Sequence, residues 1–194
     1  MSTKVDAVVK LGGSLLAHPT HFQPMLDALA EAATRRRLVI VPGGGTFADA
    51  VRVVDATIGL GDDAAHWMAV LAMDQFAYLV ASRIPRGVVV RDERQIGAAI
   101  RASRVPVLAP SRWLQEVDPL PHTWTVTSDS ISAWAAGQLG ARRLVLIKAP
   151  DSPPGEHGLD GYFARALPAG VSYAVVTAEH PRLIEAAIDA DGDG

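Results

Sequence analysis

Three observations predict an α/β fold built on a mostly parallel sheet with helices on both faces. Short, wholly apolar segments recur along the chain, they lack polar alternation, and stretches of helical periodicity separate them. A strand that is covered on both faces has no side to offer to water, so it reads as a continuous apolar run.

The first such strand is Val5 to Leu11, and it runs directly into Gly12-Gly13-Ser14. Phe22 to Arg36 reads as a helix, with Met25, Leu26, Leu29, Ala30 and Ala33 at helical spacing. Leu38 to Val41 is the second strand. It breaks at Pro42-Gly43-Gly44-Gly45, after which Thr46 is placed to cap a helix through about Ile58. A longer helix follows from Asp62 to Arg83, then a short strand from Gly87 to Val90, a helix from Asp92 to Ala102 and a strand from Val105 to Ala109. Beyond Pro110, an amphipathic segment with Trp113 and Leu114 leads into a loop from Asp118 to His122. Thr127-Ser128-Asp129-Ser130 opens a helix to about Leu139, with Ser128 or Asp129 as the natural cap. Arg143 to Ile147 is the fifth strand and ends at Lys148. Ala149 to Gly158, rich in proline, is expected on the surface. Tyr162 to Leu167 is expected to be helical, Val171 to Val176 a strand, Pro181 to Ile188 a closing helix, and Asp189 to Gly194 a frayed acidic tail.

Composition bounds the function. At 194 residues, 49% hydrophobic and 20% charged, the chain is expected to form one domain over 1–194, since neither a repeat nor a linker divides it. Cysteine is absent, so no disulfide framework is available and a cytoplasmic setting is expected. No apolar run reaches the roughly 20 residues of a membrane span. Net charge is -3, and Arg35-Arg36-Arg37 falls at a helix end where cations complement the dipole, so neither nucleic acid nor membrane is an expected partner.

Ligands of open α/β sheets gather at the carboxyl ends of the strands. Four features fall at or beside such ends: Lys10 with Gly12-Gly13-Ser14, the Gly43-Gly44-Gly45 turn, the helix start at Thr127 to Ser130, and Lys148. Paired glycines let a backbone approach an anion, and a helix start aims free N–H groups at it. The chain has three lysines, Lys4, Lys10 and Lys148, against fifteen arginines, so two lysines at strand ends suggest a need for a compact ammonium. Two glycine turns and two ammonium groups suit phosphoryl transfer, which depends on placing donor and acceptor and on offsetting the charge between them. Two readings of Asp129 are compatible with its place: it holds both lysines, or it only caps its helix. Asp49 and Arg52 either face an acceptor or form a solvated surface pair. His66, beside Trp67, is either packed or turned to the substrate. His18 and His21 have no neighbours that complete a metal site, and no protein-held metal is expected. There is no G-x-x-x-x-G-K-[ST] loop, no G-x-G-x-x-G after the first strand and no G-x-S-x-G elbow.

Lys10-Leu11-Gly12-Gly13-Ser14, Pro42-Gly43-Gly44-Gly45 and Thr127-Ser128-Asp129-Ser130, in that order and spacing, resemble the amino acid kinase family. The resemblance implies a three-layer αβα sandwich, ATP with Mg²⁺ as donor, and an anionic small molecule as acceptor. It implies catalytic roles for Lys10, Asp129 and Lys148. Nucleotide contacts are expected at Gly12, Gly13, Ser14, Ser128, Ser130, Asp160 and Phe163, and acceptor contacts at Gly43, Gly44, Gly45, Asp49, Arg52 and His66. His66-Trp67-Met68-Ala69, Ala72-Met73-Asp74-Gln75 and the run from Trp124 to Ser130 are similar to the small kinases of methanofuran synthesis, whose acceptor is an aminomethylfuran-methyl phosphate. On that likeness Asp49 would meet the ammonium of the acceptor and Arg52 its phosphate. The chain departs from the family after Lys148, where Ala149-Pro150-Asp151 replaces a Val-Asp-Gly turn, and no further lysine follows. A nucleotide- or oxyanion-storage protein on the same scaffold is the rival reading, and a homo-oligomer is the expected assembly.

Overall fold

The computed structural model describes residues 4–153 and 158–190. Six parallel strands form one sheet: β1 (Ala7–Leu11), β2 (Leu38–Pro42), β3 (Gly87–Val90), β4 (Val105–Leu108), β5 (Arg143–Lys148) and β6 (Ser172–Thr177). Their order is β3-β4-β2-β1-β5-β6, which puts β1 at the centre, between β2 and β5. The helices are α1 (Pro19–Arg35), α2 (Gly45–Ile58), α3 (Asp62–Arg83), α4 (Glu93–Arg101), α5 (Ser111–Val117), α6 (Ser128–Gln138), α7 (Phe163–Ala166) and α8 (Leu183–Asp189).

Strand alternation sorts the core into two halves. Ala7, Val9, Leu11, Ile40, Val145 and Ile147 pack with α1, α8 and Phe76, Ala77 and Val80 of α3. Val8, Val39, Val41, Leu144 and Leu146 point the other way, to Trp113, Ile131, Trp134 and Phe163 of α5, α6 and α7. This is a three-layer αβα sandwich, as the apolar strands and the resemblance both predict.

The helix boundaries differ from the sequence reading where the chain's own chemistry decides them. α1 starts three residues earlier than Phe22, because Pro19 occupies the first helical position, where its missing N–H costs nothing. α2 starts at Gly45 on Gly44, with no side-chain cap, so Thr46 lies inside the helix. A 3-10 turn over Gly13–Ala17, tighter than an α-helix, follows the first glycine pair. Of the proline-rich loop from Ala149 to Gly158, residues 154–157 lie outside the described residues, as do residues 191–194 of the acidic tail.

Candidate active site

Strand parity places both lysines. Lys10 shares its side of β1 with Val8, and Lys148 shares its side of β5 with Leu144 and Leu146, so both turn toward α6. β1 and β5 are neighbours in parallel register, with Lys10 opposite Leu146 and Lys148 one pleat further on. The two ammonium groups therefore emerge side by side, under the first turn of α6. Asp129 sits in that turn, where a carboxylate also complements the helix dipole.

Its two oxygens are divided between the lysines. Lys10 Nζ lies 3.0 Å from Oδ1, and Lys148 Nζ donates to Oδ2 at 2.7 Å. Lys148 also donates to the Gly158 carbonyl at 2.7 Å, so it is the more tightly held of the two. The Lys10 contact is an ion pair without hydrogen-bond alignment, and buried Oδ1 accepts no aligned bond. All three side chains are buried. Burial pushes the Asp129 carboxyl up, but the ammonium groups of Lys10 and then Lys148 outweigh it and hold the group below the usual carboxylate range. Burial and the Lys10 charge push Lys148 down, against the pull of Asp129.

The glycine bends meet next to this triad. A Cβ on Gly13 would lie 2.1 Å from the Gly45 nitrogen, and one on Gly43 would lie 2.8 Å from the Gly13 nitrogen. Only hydrogen side chains permit such contact, and Gly45 further needs its left-handed φ of +54°. Gly12 donates to the Ile147 carbonyl at 2.9 Å and Gly43 to the Leu11 carbonyl at 2.8 Å, which fixes both bends to the strand ends. Ser128 overlies the second bend, its Oγ 3.1 Å from where a Gly43 Cβ would stand.

A cleft of about 220 Å³ opens beside the bends. Gly13, Ser14, Gly44, Gly45, Asp49, Arg52, His66 and Ser128 line it, together with apolar Val70, Met73, Val126 and Ile131. Asp49 and Arg52 pair at 2.9 Å, both exposed. The Arg52 guanidinium lies over the Trp124 ring, 4.8 Å from its centre, a cation–π contact. The indole N–H of Trp124 donates to Asp55 at 2.7 Å. His66 is buried and stacks on His122, with ring centres 4.2 Å apart. His122 in turn contacts Asp63 at 2.6 Å and Asp118 at 2.9 Å. The Asp63 hydrogen bond, helped by Asp118, pushes His122 up, while burial and then the His122 charge push His66 down.

Three residues expected at the nucleotide are otherwise engaged. Asp160 accepts from Thr127 N at 2.9 Å, Thr127 Oγ1 at 2.8 Å and Ser130 N at 3.0 Å, and also from the Ser130 hydroxyl. It thus supplies the cap of α6 from outside the helix, with Thr127 as the N-cap residue in place of Ser128 or Asp129. Phe163 is buried in the α6 side of the core, edge-on to Tyr173. Like Lys10, Gly12, Gly43, Asp129 and Lys148, none of Asp160, Ser130 and Phe163 lines the cleft.

Sequence reasoning missed Asp55, Asp62, His122 and Trp124 as parts of this site. Asp62 lines the cleft at the start of α3, and Trp124 and His122 come from the α5–α6 loop. Asp118 and His122 at i and i+4, just before a tryptophan, were the available signal.

Parallel strands, two mutually packed glycine bends and a carboxylate shared by two lysines make an anion-binding type of site at the carboxyl end of the sheet. The chain belongs to the amino acid kinase family, which it matches over residues 7–151. It is 31% identical over 148 residues to the (5-(aminomethyl)furan-3-yl)methyl phosphate kinase of Methanocaldococcus jannaschii, a match that covers 74% of this chain and 66% of that relative. Among solved structures, UMP kinase from Ureaplasma parvum shares its fold with a TM-score of 0.63 at 13% identity, covering 92% of each chain. Uridylate kinase from Archaeoglobus fulgidus matches with a TM-score of 0.58 at 19% identity, covering 78% of this chain and 68% of that one.

Proposed function

We propose that this protein is an ATP-dependent kinase acting on a small phosphate ester that bears an amine, of the (5-(aminomethyl)furan-3-yl)methyl phosphate class, and that the product is the diphosphate. The observation that carries the transferase reading is the convergence of Lys10, Asp129 and Lys148 with the bends at Gly12-Gly13 and Gly43 to Gly45. The acceptor reading is supported by the named relative and by what lines the cleft.

ATP would supply the γ-phosphoryl group, with Mg²⁺ carried on its phosphates. That fits the donor set, since no cluster of three metal-binding side chains occurs among the described residues and Mg²⁺ is commonly held through substrate phosphates. The nucleotide also fits the ends of β1, β5 and β6. Lys10 keeps an ammonium free of aligned bonds there, and the buried Thr177 hydroxyl beside Lys148 has no partner among the described residues.

The chain's own residues do the rest. Lys10 and the backbone N–H groups of the two bends offset the negative charge that builds on the transferring group. Asp129 keeps both lysines charged and in place. Arg52, stacked on Trp124, meets the acceptor phosphate, Asp49 and Asp62 meet the ammonium, and Val126 and Ile131 cover the ring. His66 supplies a polar contact to the acceptor, and Ser14 and Ser128 face the nucleotide. The Asp160–Ser130–Thr127 bonds position the α6 turn that carries Asp129.

One sheet drawing strands from residues 7 to 177 supports reading the chain as one domain. No helix among the described residues is long and apolar enough to cross a membrane, and a cytoplasmic setting belongs to the same proposal. So does self-association, for which Val53, Ile58 and Leu71 present exposed apolar side chains on α2 and α3.

The test is turnover. Purified protein with ATP and Mg²⁺ should release ADP with the amine-bearing phosphate, and not with the same ester lacking its amine or with UMP. Equal release with UMP would overturn the acceptor assignment. Retained ATP with no ADP from any acceptor would favour storage.

A further inference from the structure

In a parallel sheet all strands begin at one edge, so residues that precede distant strands become neighbours. Here they are basic. Lys4 precedes β1, Arg36 and Arg37 precede β2, and Arg142 precedes β5, which Arg143 opens, with Leu and Val following in both of the last two cases. The chain as a whole is acidic, with a net charge of -3, yet these five cations line one groove of about 850 Å³ at the edge opposite the cleft.

The groove's carboxylates are already spent. Asp6 accepts from Arg37 through the side chain at 2.6 Å and the backbone N–H at 2.8 Å, and Asp189 accepts from Arg36 at 2.7 Å. Arg35, also on the groove, is held by Glu31 and Glu185. That leaves Lys4, Arg142 and Arg143 without an acidic partner among the described residues. Arg143 is the telling one, because its exposure is 9%. It donates to the Ala187 carbonyl at 2.7 Å and to Ser172 Oγ at 3.1 Å, both neutral, so a buried guanidinium has no carboxylate against it among the described residues. Burial alone pushes its pKa down, with no carboxylate pulling the other way. A buried charge is costly unless it is paired, and a guanidinium with donors to spare matches phosphate geometry.

We propose that this groove is a second anion site, which takes a small phosphate compound of at least two negative charges on Arg143, Arg142 and Lys4. The size of the groove suits a metabolite, and its position leaves the cleft free to bind its own ligands.

Inorganic pyrophosphate is the probe, titrated at constant ionic strength while the Nε–H NMR signal of Arg143 is followed. That proton is held by the Ala187 carbonyl, so it reports locally. A saturable, one-site shift is expected, and it should persist in Lys10→Ala, which removes an anion contact at the other edge. Arg142→Glu and Lys4→Glu, both at exposed positions, should each weaken it at least tenfold. An unmoved signal, a shift that chloride reproduces, or one that Lys10→Ala abolishes would overturn the site. Binding to anionic phospholipid vesicles without a saturable pyrophosphate response would also overturn it, in favour of a membrane surface.

Discussion

Asp129→Asn separates the two readings of that carboxylate. As a helix cap the change is nearly neutral, since Asn and Asp cap about equally well, and the capping bonds of α6 run to Thr127 and Asp160 in any case. As the counter-charge of two lysines it is severe. The carboxylate is buried with Lys10 at 3.0 Å and Lys148 at 2.7 Å, and an amide of the same shape leaves two ammonium groups facing each other. Breaking a buried pair by removing one partner costs about 3–5 kcal/mol. For a chain of this size each kcal/mol is worth about 2–4 °C, so the melting temperature should fall by roughly 6–20 °C at neutral pH.

The pH dependence supplies a second check. Losing Asp129 removes what raises Lys148 and leaves burial and Lys10, both of which lower it. With the folded pKa of Lys148 pushed further below its unfolded value, the variant gains stability as pH rises through that depressed pKa, and the gap to wild type narrows. On the acid side it is wild type that titrates, and the gap narrows as pH falls. Wild-type Asp129 has a folded pKa below the ordinary carboxylate value of 3.8, so its contribution is present above that value and lost as pH falls through the folded one. Thermal unfolding of both proteins from pH 3 to 10 reads all of this. A variant within about 1 °C of wild type at neutral pH, roughly the effect of 0.5 kcal/mol or less, would refute the shared-carboxylate account.

Four further outcomes follow from the same geometry. Lys10→Ala should lower kcat by about 10²–10³, the usual cost of losing one charge-stabilising donor, with circular dichroism unchanged. Gly13→Ala drives a methyl to 2.1 Å from the Gly45 nitrogen, so denaturant titration should show a loss of about 1–3 kcal/mol or more, alongside lost activity. Asp49→Asn should raise KM for the amine-bearing acceptor roughly tenfold and leave KM for ATP alone, and an unchanged acceptor KM would rule out its contact with the ammonium. His122→Gln should lower the melting temperature only at acid to neutral pH. The folded pKa of His122 is raised above 6.5, so its contribution is full below that value and fades as pH rises through the folded one.

The apolar strands, both glycine bends and the two strand-end lysines were legible because each is a local pattern. Val8, Lys10 and Leu146 show why more followed from them, since strand parity alone tells which face a side chain takes. Helix boundaries were less legible. Nothing local to Ser128 or Asp129 reveals that Asp160, thirty residues beyond Ser130, reaches back to cap their helix. Once it does, Asp129 is released from capping and is free to hold two lysines. The same holds for Trp124 and His122, whose loop becomes a wall of the cleft only through Asp55 and Asp63 on distant elements. Lys4, Arg37 and Arg143 are likewise scattered in sequence and are gathered only by parallel strand order.

On the proposed function a nucleotide's terminal phosphate lies over the two packed glycine bends, beside Lys10. A crystal structure with a non-hydrolysable ATP analogue and Mg²⁺ tests it most directly. The γ-phosphate should lie about 3 Å from Lys10 Nζ and from N–H groups of both bends, a normal donor distance for such a group. A γ-phosphate seated away from both bends, with Lys10 still turned only to Asp129, would contradict it.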